Sequence, residues 1–286
     1  MKETGNLLQM WVGWGILKPD ARAAARRERA SVLRTAVHES YLYIDSNSCF
    51  DRGDRKMPDF TFQEIARMID HSLLQQQLTD TELTQGCRLA REFGVASVCI
   101  KPYAVEHACE ILAGSTVAVG TTIGFPHGGH VTSVKVAEAI QALEDGATEL
   151  DMVVNIGKVL SQDWAYVEDD IQAVVEIAHA EKALVKVIFE NCFLQNEYKE
   201  KLCEICGELR ADFVKTSTGY GSAGASDDDL KLMRRCSPPH VQVKAAGGVR
   251  NFERLLAVRA IGVTRVGATA TKTILDECKA FLQKHQ

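Results

Sequence analysis

The sequence predicts a (β/α)8 barrel behind an N-terminal extension, on three observations. From about residue 60, short runs rich in Val, Ile and Thr recur, each followed by a helical pattern. These runs are apolar on both faces, as in a sheet covered on both sides. Eight such strand–helix units favour a closed barrel over an open doubly wound sheet. Alternation of this kind implies parallel strands joined by helical crossovers. A length of 286 residues suits one barrel of roughly 250 residues plus an extension.

Strands are expected near residues 68–74, 96–101, 116–124, 148–154, 183–190, 211–218, 241–248 and 263–268. Helical stretches between them include Asp80–Phe93, 132–145, 165–180, 197–209 and Phe252–Ala260. The domain division is therefore 1–60 as extension and 61–286 as barrel. The extension lacks the strand–helix rhythm. It mixes an Arg-rich stretch, in which 21–37 reads as a helix with Asp20 as its N-cap, with a linker-like run at 47–59.

Composition excludes several classes. Apolar residues make up 46% and charged residues 25%, the balance of a soluble globular protein. The net charge of -5 does not suit a nucleic-acid binder. Arg26, Arg27, Arg29 and Arg34 lie beside Glu28 and Asp20 and read as a solvated helix face. The apolar stretch from Leu7 to Leu17 is broken by Gln9, Gly13 and Gly15 and is too short to span a bilayer. Without a membrane span or a clear signal peptide, the expected location is the cytoplasm. Nine cysteines, an odd number, fit reduced thiols better than a disulfide framework. Cys203 and Cys206 form a lone C-x-x-C in a helical pattern, with no second pair to complete a zinc site. His127 and His130 lie in a glycine-rich loop without a third ligand motif, so no metal is expected.

The informative residues break the strand pattern. Asp151, Lys186, Lys215 and Lys244 each interrupt an apolar run. A buried Lys or Asp is costly to desolvate and rare unless paired. Any one of them could be a simple ion pair. Four in successive strands, all pointing their C-terminal ends at one face, can converge. Convergence of amines has a chemical use. At pH 7 an ordinary Lys, with a pKa of about 10.4, is neutral in only about one molecule in 2,500. A second ammonium about 4 Å away costs roughly 4 kcal/mol at an effective dielectric of 20. That weakens the hold on the proton about a thousandfold and makes one amine a nucleophile able to form an imine. Asp151 could relay protons through water. At the ends of the last two strands, Gly247-Gly248 and Gly267-Ala268-Thr269 stand where barrels of this kind often bind phosphate on backbone N–H groups.

Several segments together resemble deoxyribose-phosphate aldolase. They are Ile69-Asp70-His71-Ser72-Leu73-Leu74, Val98-Cys99-Ile100-Lys101-Pro102, Ile123-Gly124-Phe125-Pro126 and Glu149-Leu150-Asp151-Met152-Val153-Val154-Asn155. The likeness continues through Val185-Lys186-Val187-Ile188-Phe189-Glu190, Asp212-Phe213-Val214-Lys215-Thr216-Ser217-Thr218-Gly219 and Val243-Lys244-Ala245-Ala246-Gly247-Gly248-Val249-Arg250. It runs from about residue 66 to residue 276, in order and with normal spacing.

The resemblance implies a class I, metal-independent and cofactor-free aldolase. It would split 2-deoxy-D-ribose 5-phosphate into acetaldehyde and D-glyceraldehyde 3-phosphate, in deoxyribonucleoside catabolism. It assigns Lys215 as the Schiff-base lysine, Lys244 as the second lysine that lowers its pKa, and Asp151 as the proton shuttle. Lys186 is expected to contact a substrate hydroxyl and the Asp151 network. Thr218, Gly219, Gly247, Gly248, Gly267 and Thr269 are assigned to the phosphate pocket. The expected partner is a small phosphosugar, with a homodimer or other homo-oligomer as the assembly. Asp70 and His71 are expected to support the site rather than react, and Cys99 to be a packed core thiol.

This sequence departs from the family pattern at Thr269-Ala270, where two adjacent serines are common and Ala270 removes a hydroxyl. It also lacks a C-terminal Tyr found in some members and adds the extension. Two alternatives stay open: another phosphosugar barrel enzyme, transaldolase-like or metal-dependent, and a barrel that has lost catalysis and serves as a binding scaffold.

Overall fold

In a computed structural model of the chain, residues 59–285 are described. The predicted helix at 21–37, the 1–60 extension except its last two residues, and the 47–59 linker except its last residue lie outside them. Helix α1 (Phe62–Ala66) opens the described part, capped by Thr61 and Glu64 in a reciprocal capping box.

Eight strands follow: β1 (Ile69–Leu73), β2 (Ser97–Ile100), β3 (Ala118–Ile123), β4 (Glu149–Val153), β5 (Leu184–Ile188), β6 (Phe213–Lys215), β7 (Gln242–Ala246) and β8 (Arg265–Ala268). Each pairs with the next in parallel, and β1 closes on β8. The result is a (β/α)8, or TIM, barrel. All eight expected strands form, each trimmed by one to several residues at one or both ends where the ladder gives way to a loop.

The crossover helices are α2 (Asp80–Phe93), α3 (Val105–Leu112), α4 (Thr132–Glu144), the short α5 (Ile156–Leu160) before α6 (Trp164–Ala180), α7 (Asn196–Glu208), α8 (Asp227–Cys236), α9 (Phe252–Ala260) and α10 (Thr271–Lys284). Start and stop signals place them. Thr79 caps α2 with Glu82 and Gly94 ends it in the left-handed conformation, while Asn251 caps α9. Cys203 and Cys206 are buried in α7, and the eight cysteines among the described residues are all free thiols.

The expectation of strands apolar on both faces is half right. Outward residues such as Ile69, Leu150, Val185, Val214, Val243 and Val266 are buried among the helices. The inward face is different. Asp70, Glu149, Asp151, Lys186, Lys215, Lys244 and Arg265 meet one another across the barrel, which side chains on non-adjacent strands can do only through its interior. Burial of their neighbours masks this alternation in the sequence, because both faces are removed from water.

Candidate active site

The interior charges form a layered network. Asp151, on β4, receives Lys215 Nζ at 2.6 Å and Lys244 Nζ at 2.7 Å on the same Oδ2 atom. The two amines are therefore no further apart than the sum of those distances, as expected for register partners on adjacent strands. Lys186 Nζ lies 3.0 Å from the other oxygen of Asp151, 2.5 Å from Glu149 Oε2 and 3.0 Å from Asp70 Oδ2. Asp70 Oδ2 also sits 2.5 Å from Lys244 Nζ. Arg265 closes the lower layer, bonding Glu149 at 2.8 Å and Asp70 at its second oxygen.

Three carboxylates thus face four basic groups, and all but Arg265 are buried. Buried charges cost several kcal/mol each unless paired, so an interior with one surplus positive charge is relieved by shedding one proton. Lys215 is the group placed to shed it. It contacts one carboxylate, which it shares, whereas Lys244 contacts two and Lys186 three.

The proton affinities follow the same pattern. Burial pulls the Lys215 pKa below the ordinary lysine range; Asp151 opposes this and Lys244 reinforces it. Burial also pulls on Lys244 and Lys186, but the carboxylates outweigh it, so Lys244 is raised and Lys186 raised strongly. Burial pushes the Asp151 carboxyl upward, yet Lys186, Lys215 and Lys244 hold it well below the carboxylate range. Crowding by Lys244 therefore acts in the expected direction, but desolvation of Lys215 is the larger cause.

Above the network lies a cavity of about 400 Å³ at the C-terminal ends of the strands. Lys215, Lys244 and Asp70 reach it from below. Every residue assigned to phosphate lines it: Thr218 and Gly219 after β6, Gly247 and Gly248 after β7, and Gly267 and Thr269 at β8. Gly247 has φ +79, and a Cβ there would stand 2.8 Å from the Gly224 backbone, so the close loop approach needs glycine. Buried Glu190 accepts from Thr218 N at 3.1 Å and from the Thr218 hydroxyl, which shapes the loop after β6. Helix α10 begins two residues after Thr269, so its positive N-terminal end faces the same rim.

Comparison with known proteins agrees with this geometry. The model of the DeoC/LacD family of aldolases matches residues 51–274. The chain is 55% identical over 226 residues to the deoxyribose-phosphate aldolase of Rhodopirellula baltica, covering 79% of this chain and 94% of that one. The chain belongs to the DeoC/LacD aldolase family. It is a class I aldolase, a carbon–carbon lyase. The Clostridium perfringens deoxyribose-phosphate aldolase is 47% identical over 214 residues, 75% of this chain and 95% of that one. Among solved structures, the aldolase QR15 superposes with TM-score 0.72 at 34% identity, covering 78% of this chain and 97% of that one. A tetrameric deoxyribose phosphate aldolase from Aeropyrum pernix superposes with TM-score 0.72 at 27% identity, over 77% and 93% of the two chains.

Other placements refine the sequence reading. Asp151 and Lys186 do not line the cavity; they lie beneath it, fully buried. Contact of Lys186 with a substrate hydroxyl is not what this position offers, because its Nζ is surrounded by three carboxylates. Cys99 is buried as expected, but it borders the cavity, and burial pushes its thiol up to about 11. His71 faces away from the interior, its Nδ1 2.8 Å from Thr271 Oγ1. Ala270 takes the N-cap position of α10 and packs on the core, so the missing serine hydroxyl lies outside the cavity lining. Among the described residues no three His, Cys, Asp or Glu side chains gather as a metal site.

The sequence reading passed over Glu149, Arg265 and Arg250. Glu149 and Arg265 carry the same signal as the lysines, a charge inside an apolar strand run. Arg250 follows Gly247-Gly248-Val249 and supplies the cavity with a cation at the glycine-lined end.

Proposed function

We propose that this aldolase cleaves 2-deoxy-D-ribose 5-phosphate reversibly to acetaldehyde and D-glyceraldehyde 3-phosphate through a Schiff base on Lys215. The observation that carries the reading is the surplus of one positive charge among the seven interior groups beneath the cavity, Arg265 included, with Lys215 as the least-paired amine. The names and identities of the relatives support the substrate.

The neutral Lys215 amine attacks the aldehyde carbon of the open-chain sugar, and the carbinolamine takes up one proton from solvent and loses water, forming a protonated imine; that proton is returned when the last imine is hydrolysed. A water held at the Asp151–Lys244 pair takes the proton of the C3 hydroxyl. The C2–C3 electron pair then flows into the iminium, C3 becomes the aldehyde of glyceraldehyde 3-phosphate, and an enamine remains on Lys215. Protonation at C2 and hydrolysis release acetaldehyde and restore the amine. Lys244 stays charged, and Lys186 holds the second oxygen of Asp151. Phosphate is bound by the backbone at Gly219, Gly247, Gly248 and Gly267, by the Thr269 hydroxyl and by Arg250, while Thr218, its hydroxyl given to Glu190, shapes the loop that borders the anion. Anchoring that distant end fixes the reacting carbons over Lys215.

Residues 61–286 are the catalytic barrel and 1–60 an extension. The enzyme works in the cytoplasm as a homo-oligomer, a reading supported by the tetrameric Aeropyrum pernix relative and by the absence, among the described residues, of a helix long and apolar enough to cross a membrane.

The test is borohydride reduction in the presence of acetaldehyde, followed by peptide mass spectrometry. An ethyl group on Lys215 is expected, together with activity that survives a chelator. No adduct, or activity abolished by the chelator, overturns the reading.

A further inference from the structure

Lys215 and Lys244 are almost interchangeable as Asp151 sees them. They are register partners, both border the cavity, and both donate to one oxygen at 2.6 and 2.7 Å. Asp151 alone therefore gives no reason for one amine rather than the other to be the nucleophile. The difference comes from β1. Asp70 Oδ2 stands 2.5 Å from Lys244 Nζ, and Asp70 forms ion pairs with Lys244, Lys186 and Arg265, not with Lys215. It reaches Lys244 past β8, at the level where its register partner is Gly267 and no side chain intervenes.

We propose that Asp70 is the positioning residue that assigns the two lysines their roles, holding the proton on Lys244 so that Lys215 is the amine that is free to attack carbonyl carbon. This rests on the Schiff-base reading above.

The charged groups around the pair enter the argument together. Asp151 and Glu149 face it from β4, Lys186 from β5, Arg265 from β8, and the Cys99 thiol from β2. Asp151 acts on both amines and so does not discriminate. Lys186 and Arg265 also pair with Asp70, and each weakens the field that Asp70 exerts on Lys244. Asp70 itself stays ionised: burial pushes its carboxyl upward, but Lys186, Lys244 and Arg265 hold it far below the carboxylate range. Removing its charge lowers the proton affinity of Lys244 more than that of Lys215, since of these two lysines Lys244 is the one paired with it. Two outcomes follow. The alkaline limb of activity, set by loss of the Lys244 proton, moves to lower pH. The neutral amine becomes shared between two positions that both reach the cavity.

The experiment compares the wild-type chain with Asp70→Asn, by borohydride trapping of acetaldehyde with peptide mapping and by the pH profile of kcat/KM. Wild type should carry the ethyl group on Lys215 alone. Asp70→Asn should divide it, with at least a tenth of the adduct on Lys244, and its alkaline limb should fall by a pH unit or more. A purely structural Asp70 would lower the yield without moving the label. Label confined to Lys215 in both proteins, with the limb unmoved, overturns the proposal while leaving the Schiff-base reading intact. No label on Lys215 in wild type removes that reading first.

Should Asp70→Asn fail to fold, Arg265→Gln takes its place with the opposite sign. Freeing Asp70 from Arg265 should hold the Lys244 proton more tightly and move the alkaline limb up. A limb that stays or falls, or label appearing on Lys244, overturns the proposal.

Discussion

Two buried lysines, each within 2.6 Å of an aspartate oxygen, do opposite things in this barrel. Lys135 on α4 is 0% exposed and packs outside the strands, with Nζ 2.5 Å from Asp170 on α6 and 2.8 Å from the Val153 carbonyl. The Thr132 hydroxyl occupies the other Asp170 oxygen at 2.9 Å. Lys215, 3% exposed, shares the Asp151 carboxylate with Lys244 and Lys186 and opens onto a cavity. An amine with a carboxylate to itself is a closed structural pair. An amine that must share one beside an open space can give up its proton.

The largest effect that tests this contrast is at Lys215. Lys215→Met should lower kcat by more than about 10³-fold and abolish borohydride labelling, while the thermal midpoint changes little. In wild type, kcat/KM should rise with pH through a group titrating below the ordinary lysine range, because burial lowers that pKa. A Lys215→Met protein within tenfold of wild-type activity would erase the distinction.

Asp170→Ala should do the reverse. Breaking a buried pair leaves an uncompensated charge, at a cost of about 3–5 kcal/mol in stability. Denaturant unfolding would register this loss, and kcat of the folded fraction should stay within threefold. Replacing both partners, Lys135→Met with Asp170→Leu, should restore most of the stability. If the single variant lost turnover without losing stability, Lys135 would belong to the chemistry after all.

His71 offers a milder case of a buried titratable group. Burial lowers its pKa to about 4 from the ordinary 6.5. Between those values the unfolded chain binds a proton that the folded chain does not, so stability rises with pH across the window. It is complete above about 6.5 and is lost as pH falls towards 4, by up to about 3 kcal/mol. His71→Gln should flatten the stability curve there; an identical slope in both proteins would show that His71 is not the group responsible.

The smallest effect sharpens the cavity rather than the lysines. Gly247→Ala forces a Cβ to 2.8 Å from the Gly224 backbone at φ +79. KM for the phosphorylated sugar should rise about tenfold, with little change for unphosphorylated 2-deoxyribose. Equal losses on both substrates would place Gly247 outside phosphate recognition.

Particular residues show how far sequence reading reaches. Strand–helix alternation and the glycines ending β7 are local signals, and local signals determined the barrel and the direction of its functional rim. Lys186, Lys215 and Lys244 stood out because a charge in an apolar strand is costly wherever the strand goes. Lys135 did not stand out, because in a helical pattern a charged residue reads as solvent-facing until a second helix is packed over it. Which carboxylate each amine touches depends on residues as far apart in sequence as Asp70 and Lys244, brought together only when β1 closes on β8. The sequence by itself thus determined the fold class, the rim and the residue types of the chemistry. The tertiary structure alone decided the pairing among Asp70, Glu149, Asp151 and their four basic partners, because proton affinity depends on distances of a few ångströms that no spacing along the chain encodes.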